Sequence, residues 1–337
     1  SATCGIEFTS VIPYKPLLDT AIDAAQHKPS HTVILKRPQA DCDMIEGRDR
    51  DWVDEMAVAE PSDCVEVYAT DPLYILYTSG TTGKPKGIVR DNGGHAVALN
   101  YSMETIYDVS PGDVYWAGSD VGWVVGHSYI VYAPLIRGCT TILYEGKPVR
   151  TPDPGAFWRV IAEHKVNCFF TAPTAFRAVK KEDPKAKFKE SYDLSSLRSL
   201  FLAGERLDPP TYEWLASILH CPVIDHWWQT ETGGILITPL PGCTSLKPGS
   251  ATFPFFGVKP VILDPQSGEE LEGNGVSGVL AIKEPWPGQM RTVYGDHKRF
   301  EATYFQQYKG YYFSGDGCRR DEDGYYWITG RVDDVIT

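Results

Sequence analysis

The sequence predicts an α/β fold: a layered, mostly parallel sheet with helices on its faces, followed by a smaller β-rich subdomain. Two observations carry this. Between residues 72 and 246, compact apolar runs of strand length alternate with stretches whose apolar residues recur at helical intervals, the pattern of strands joined by crossover helices. After residue 247 helical periods become rare, and Gly, Pro and short β-type runs dominate, which marks an internal boundary. The expected organisation is an α/β part at 1–246, a β-rich subdomain at 247–330 and a hinge at 331–337.

Taken in order, residues 17–26 have helical spacing, 31–35 form a β-branched strand, and 41–54 are charge-rich and expected to be exposed. Residues 73–77 are a compact, buried strand feeding a Gly/Thr/Lys loop, with a helix at 96–107. Short buried strands follow at 140–144, 168–170, 200–202 and 222–225, with helices at 156–164, 174–181 and 211–220 between them. The second part carries strands at 258–263, 278–282, 311–314 and 325–329.

A chain of 337 residues that is 42% apolar and 23% charged has a globular composition. Its formal charge of −12, from 44 acidic against 32 basic residues, argues against nucleic acid as a partner. An anionic ligand would have to be held locally, by amides, hydroxyls and a metal. No apolar run approaches the roughly 18–20 residues of a membrane span, and the opening residues carry no basic-then-apolar leader. The eight cysteines stand singly, at 4, 42, 64, 139, 168, 221, 243 and 318, without CxxC or zinc spacing. They read as free thiols in a reducing compartment. Nothing in the sequence indicates an oligomeric state.

The sharpest local feature is Tyr77-Thr-Ser-Gly-Thr-Thr-Gly-Lys-Pro-Lys-Gly87. Glycines let amides turn inward around an anion, hydroxyls add donors and lysines add charge, so the run suits a polyphosphate. It is not a Walker loop, because Pro85 stands where Ser or Thr should follow Gly83-Lys84. Three further segments follow in order: Trp227-Trp-Gln-Thr-Glu-Thr232, Tyr312-Phe-Ser-Gly-Asp-Gly317 and Gly330-Arg-Val-Asp-Asp334.

This ordered set resembles the adenylate-forming (AMP-binding) superfamily of acyl-CoA synthetases, luciferases and peptide-synthetase adenylation domains. Within it, Asp120-Val-Gly-Trp-Val-Val-Gly-His-Ser-Tyr129, Tyr144-Glu-Gly-Lys-Pro148, Trp286-Pro-Gly-Gln-Met-Arg291 and Gly295-Asp-His297 are similar to the short-chain branch, the acetyl- and propionyl-CoA synthetases. The resemblance covers essentially the whole chain and implies an incomplete N-terminal domain of such an enzyme. The C-terminal domain, with the lysine that drives adenylation, and the arginines that contact the CoA nucleotide would lie outside these residues. The fragment alone is expected to be poorly active, and its compartment is left as intracellular, cytoplasm or mitochondrial matrix.

The chemistry so implied is attack of a short-chain carboxylate on the α-phosphorus of ATP, release of pyrophosphate, then displacement of AMP by coenzyme A. Ser79, Gly80, Thr81, Thr82, Gly83 and Lys86 would cradle the phosphates. Thr230, at the α-phosphate, and Glu231, holding Mg²⁺ through its carboxylate, would be the catalytic residues. Gly204, Glu205, Arg206, Asp225, His226, Trp227, Trp228 and Gln229 would enclose the nucleotide, Asp316 would accept the ribose hydroxyls, and Arg331 would donate to the sugar. Asp333 would be the hinge. Val124, Val125, Ala203 and Trp228 would form the acyl pocket. Trp228 is a rigid wall that excludes longer acids. Acetyl-CoA synthetases carry valine where this chain has Ala203 and threonine where it has Val125; the alanine makes room for about one more methylene and the valine makes the site more apolar. At about 0.8 kcal/mol per buried methylene, propionate should be preferred over acetate, modestly. The polar CoA contacts of the branch correspond to Val125 and Val149, so they are not carried over. The competing readings are acetyl-CoA synthetase proper, an adenylation domain that loads a carrier protein, and a non-enzymatic nucleotide-binding remnant.

Overall fold

The structure, a computed structural model, describes residues 1–79 and 84–332. They fall into two units, Ser1–Glu66 and Val67–Thr337. The first opens with the hairpin β1 (Cys4–Glu7) and β2 (Ser10–Pro13), followed by helix α1 (Lys15–Ala24). Strands β3 (Thr32–Ile34) and β4 (Asp49–Asp51) pair in parallel, and α2 (Trp52–Val58) follows, its first turn capped by the Asp51 carboxylate accepting from the Val53 amide. The stretch at 41–54 is not simply an exposed connection. The Asp49 side chain is wholly buried, taking Lys15 at 2.8 Å, Arg48 at 2.6 Å and the Thr32 hydroxyl. Burial opposes ionisation there, but these donors outweigh it and hold the carboxyl well below the usual range.

The second unit begins with a correction to the expected alternation. Strand β5 (Pro72–Thr78) does not lead through its loop to a helix. It turns back on β6 (Lys86–Asp91), antiparallel, with Tyr77 opposite Gly87 and Thr78 opposite Lys86. Nor is β5 buried throughout: Tyr77 is 62% exposed, whereas every residue of β6 is buried. Helix α3 (Asn92–Thr105) comes only after β6.

Then come β7 (Val114–Ala117), a π-helical segment Gly126–Tyr132 running into α4 (Ala133–Arg137), β8 (Thr140–Thr141), α5 (Ala156–His164), β9 (Cys168–Thr171), α6 (Pro173–Glu182), β10 (Ser199–Leu202), α7 (Pro209–Ile218) and β11 (Val223–Asp225). The strand expected at 140–144 shrinks to Thr140–Thr141. The five strands form one all-parallel sheet in the order β11-β10-β9-β7-β8. Period-2 alternation divides its side chains between two cores. Tyr115, Ala117, Phe170 and Phe201 pack with Leu99 and Met103 of α3, while Trp116, Phe169, Leu200 and Leu202 pack with α5, α6 and α7. This doubly covered sheet is the fold class the sequence predicts.

The remaining strands are β12 (Pro260–Leu263), β13 (Val276–Ile282), β14 (Thr292–Val293), β15 (Tyr312–Arg320) and β16 (Tyr326–Arg331), with helix α8 (His297–Tyr304) before β15. The sequence reading did not anticipate α8. Strands β12-β13-β15-β16 make an antiparallel sheet, and β14 instead extends the hairpin, in the order β14-β6-β5. The eight cysteines are free, and among the described residues no helix is long and apolar enough to cross a membrane.

Candidate active site

In an open parallel sheet, ligands gather beyond the carboxyl ends of the strands. Here β10 runs into Ala203-Gly204-Glu205 and β11 into His226–Thr230. Gly204 sits at φ 99°, a backbone that side chains other than glycine adopt only under strain. A cavity of about 430 Å³ opens between these two strand ends and the antiparallel sheet, lined by Gly204, Glu205, Arg206, Asp225–Gln229, Asp316 and Arg331. A second, of about 720 Å³, adjoins it and is lined by Ser79, Lys86, Val124, Thr230 and Glu231; Gly204, Gln229 and Arg331 line both. The described candidate residues other than Val125 and Ala203 therefore line one two-chambered space. Gly80, Thr81, Thr82, Gly83 and Asp333 lie outside the described residues.

In the first chamber, antiparallel register sets Asp316 directly opposite Arg331. Asp316 Oδ2 accepts from Trp227 Nε1 at 3.1 Å and Gln229 Nε2 at 2.8 Å, and Arg331 stands 3.5 Å from Oδ1. Burial pushes the Asp316 carboxyl up to about 6, with Arg331 pulling the other way. Burial likewise raises Asp225 to about 7 and lowers His226 to about 4. The His226 ring serves the core: its nitrogens meet the Tyr107 hydroxyl at 3.0 Å and the Leu202 carbonyl at 2.8 Å. Glu205 is paired with Arg177 at 2.5 Å.

In the second chamber, Lys86 Nζ lies 3.4 Å from Glu231 Oε1. Lys86 and Arg90 share one face of β6, two residues apart twice over, and both address the 230–231 segment. Arg90, fully buried, donates to the backbone carbonyls of Thr230, Glu231 and Gly288. Gly233, at φ 74°, leaves the space this guanidinium fills, since a Cβ there would strike Arg90 and the Gly288 carbonyl. Sequence reasoning missed Arg90. Its signal was a cation inside the apolar run Gly87-Ile-Val-Arg90. Of the expected acyl residues, Val124 lines the second chamber and Trp228 the first, while Ala203 belongs to the buried cluster that includes Leu99 and Met103 of α3, and Val125 and Trp228 pack against that cluster.

Among the described residues no group of three or more His, Cys, Asp or Glu could hold a metal. The donor set is a single carboxylate, Glu231, beside the Lys86 ammonium. It suits an ion that arrives with phosphate oxygens, as Mg²⁺ does, rather than one caged by protein.

Comparison with known proteins places the chain in a family. Residues 7–294 match the model of the family described as AMP-binding enzyme. An acetyl-coenzyme A synthetase 2 of Pseudomonas aeruginosa is 53% identical over 98% of this chain and 51% of its own length. An acetyl-coenzyme A synthetase of Rhizobium meliloti is 52% identical over 99% of this chain and 52% of its own. An uncharacterised protein of Pseudomonas aeruginosa is 54% identical over 100% of this chain and 54% of its own. The chain spans about half the length of the curated relatives it matches.

Proposed function

Because the chain belongs to the AMP-binding enzyme family, we propose that it forms the nucleotide-binding part of a short-chain acyl-CoA synthetase, activating propionate in preference to acetate. The observation that carries this is the two-chambered cavity, with Asp316 and Arg331 at one end, Lys86 and Glu231 at the other, and Gln229 lining both. That arrangement suits a nucleoside polyphosphate: a planar base and sugar, then a charged tail.

In this reading Trp227 and the Gly204–Arg206 turn enclose the base, and Asp316 and Arg331 hold the sugar. Thr230 and Lys86 address the phosphates, with Ser79 and the loop residues 80–83. Glu231 would hold Mg²⁺, which supplies charge neutralisation of the polyphosphate when bound. Arg90 fixes the backbone of Thr230 and Glu231, so that their side chains meet the α-phosphate region without reorganisation. The carboxylate would lie against Val124, Val125, Ala203 and Trp228, where the alanine supports a three-carbon acid. Coenzyme A would be the second substrate. The division into an α/β part to residue 246, a β-rich part to 330 and a hinge at Asp333 belongs to the same proposal. The relatives named above are bacterial, which lends no support to a mitochondrial setting.

The test is carboxylate-dependent pyrophosphate release by the protein as its gene encodes it, with acetate, propionate and butyrate. Propionate should give the highest kcat/KM. A kcat/KM for acetate well above that for propionate would overturn the preference, and no release with any of the three would overturn the activity.

A further inference from the structure

Helix α8, which follows β14, reaches the residues just before β6 near its start and the Lys86–Glu231 pair of the phosphate chamber at its end. Near its start the guanidinium of Arg299 donates to the carbonyls of Lys84 at 2.6 Å and Pro85 at 3.2 Å. At its end stands Tyr304, buried and stacked on Tyr312 with ring centroids 5.5 Å apart and planes 8° from parallel. The Lys86 ammonium lies over the Tyr304 ring, 4.9 Å from its centre.

The Tyr304 hydroxyl accepts from Lys86 Nζ at 2.6 Å and donates to Glu231 Oε1 at 2.7 Å. Lysine and glutamate themselves are 3.4 Å apart, so each is closer to the phenol than to the other. A protonated amine can only donate and a carboxylate only accept. The direction of both hydrogen bonds is therefore set, and the phenol acts as the spacer between the two charges. The ring beneath it has no freedom to withdraw, because Tyr312 backs it and in turn donates to Gln229 Oε1 at 3.0 Å.

We propose that Tyr304 is a positioning residue of the phosphate chamber, one that keeps Glu231 and Lys86 apart and aimed, the carboxylate for a divalent cation and the ammonium for a polyphosphate. This rests on the reading of the site given above. Without the hydroxyl, the two charges are free to close from 3.4 Å into a tighter ion pair, each then satisfying the other instead of a ligand. The residue touches neither nucleotide nor reacting atoms in this account; it acts through the pair.

The test is Tyr304→Phe, which removes the oxygen and retains the ring stack and the cation–π contact. Calorimetry on the gene-encoded protein and the variant would measure ATP with Mg²⁺, ATP with chelator, and AMP. The variant should bind Mg²⁺-ATP about tenfold more weakly, as expected for loss of a hydrogen bond to a charged group. Its half-saturating Mg²⁺ concentration should rise and its affinity for AMP, which has no β- or γ-phosphate, should stay within about twofold. In turnover the KM for Mg²⁺-ATP should rise while that for the carboxylate is unchanged. Unaltered Mg²⁺-ATP binding would overturn the proposal. So would an equal loss for AMP and Mg²⁺-ATP, which would mean that the hydroxyl supports the site as a whole. A wild-type protein that binds neither nucleotide would instead overturn the reading of the site on which the proposal stands.

Discussion

Replacing Arg90 should damage the protein more than replacing any residue that faces the cavity. Its guanidinium is fully buried on β6 and donates to three backbone carbonyls, those of Thr230, Glu231 and Gly288. The neighbouring carboxylate, Asp91, is engaged elsewhere, by Arg291 at 2.6 Å. In Arg90→Met the Glu231 carbonyl keeps the Met290 amide, at 3.0 Å, so Thr230 and Gly288 bear the loss. Two hydrogen bonds from a charged donor are worth about 1.5–3 kcal/mol each. Removing a buried cation returns part of that, because its desolvation cost also disappears.

A net loss of about 3 kcal/mol is the expected result. With a urea slope of about 3 kcal/mol/M for a chain of this size, the unfolding midpoint followed by tryptophan fluorescence should fall by about 1 M. Arg90→Lys should recover only part of it, since an ammonium on a flexible stem cannot reach three carbonyls in the geometry of a planar fork. ATP affinity should fall in both variants even well below the midpoint, because the 230–231 backbone loses its anchor. A midpoint for Arg90→Met within about 0.2 M of wild type, with nucleotide binding intact, would refute the cradle.

Three more expectations follow from the same structure. Ala203→Val should shift the kcat/KM ratio toward acetate by roughly tenfold, within the range of about 10–200 that one methylene can discriminate; an unchanged ratio in competition assays would remove Ala203 from the acyl pocket. Burial raises Asp225 to about 7, so the fold favours its neutral form: that stability is complete below the unfolded carboxylate value near 4 and is lost as pH rises through 7. Asp225→Asn should therefore flatten the fall in urea midpoint between pH 5 and 8, and an equally steep fall would show that the carboxyl is not desolvated. Gly126→Ala would drive a Cβ into the backbone of Val121, costing about 1–3 kcal/mol by overpacking and disordering the 121–126 turn beside Val124; a thermal scan and the KM for the carboxylate would both register it.

What could be read from the sequence, and what could not, divides along one physical line. The doubly covered sheet was legible because Cys168–Thr171 and Ser199–Leu202 are short, wholly apolar but for small polar residues, and spaced by helices of ordinary length. Lys86, Glu231 and Asp316 were legible because each sits in a contiguous run whose residue order is itself distinctive. Strand β6 was not, since Lys86 and Arg90 are both buried in it and break the apolar pattern by which a buried strand is recognised. Arg90 and Tyr304 remained hidden for a deeper reason: their partners stand 140 and 73 positions away, and no local pattern records a pairing at that distance. Asp49, buried among Lys15, Arg48 and Thr32, is the same case in the first unit. The residues proposed to meet a ligand are thus written in local runs, because a small ligand needs each run to present several groups to it at once. The residues that aim them are written across the fold, because only a distant strand or helix offers a fixed point from which to hold a loop.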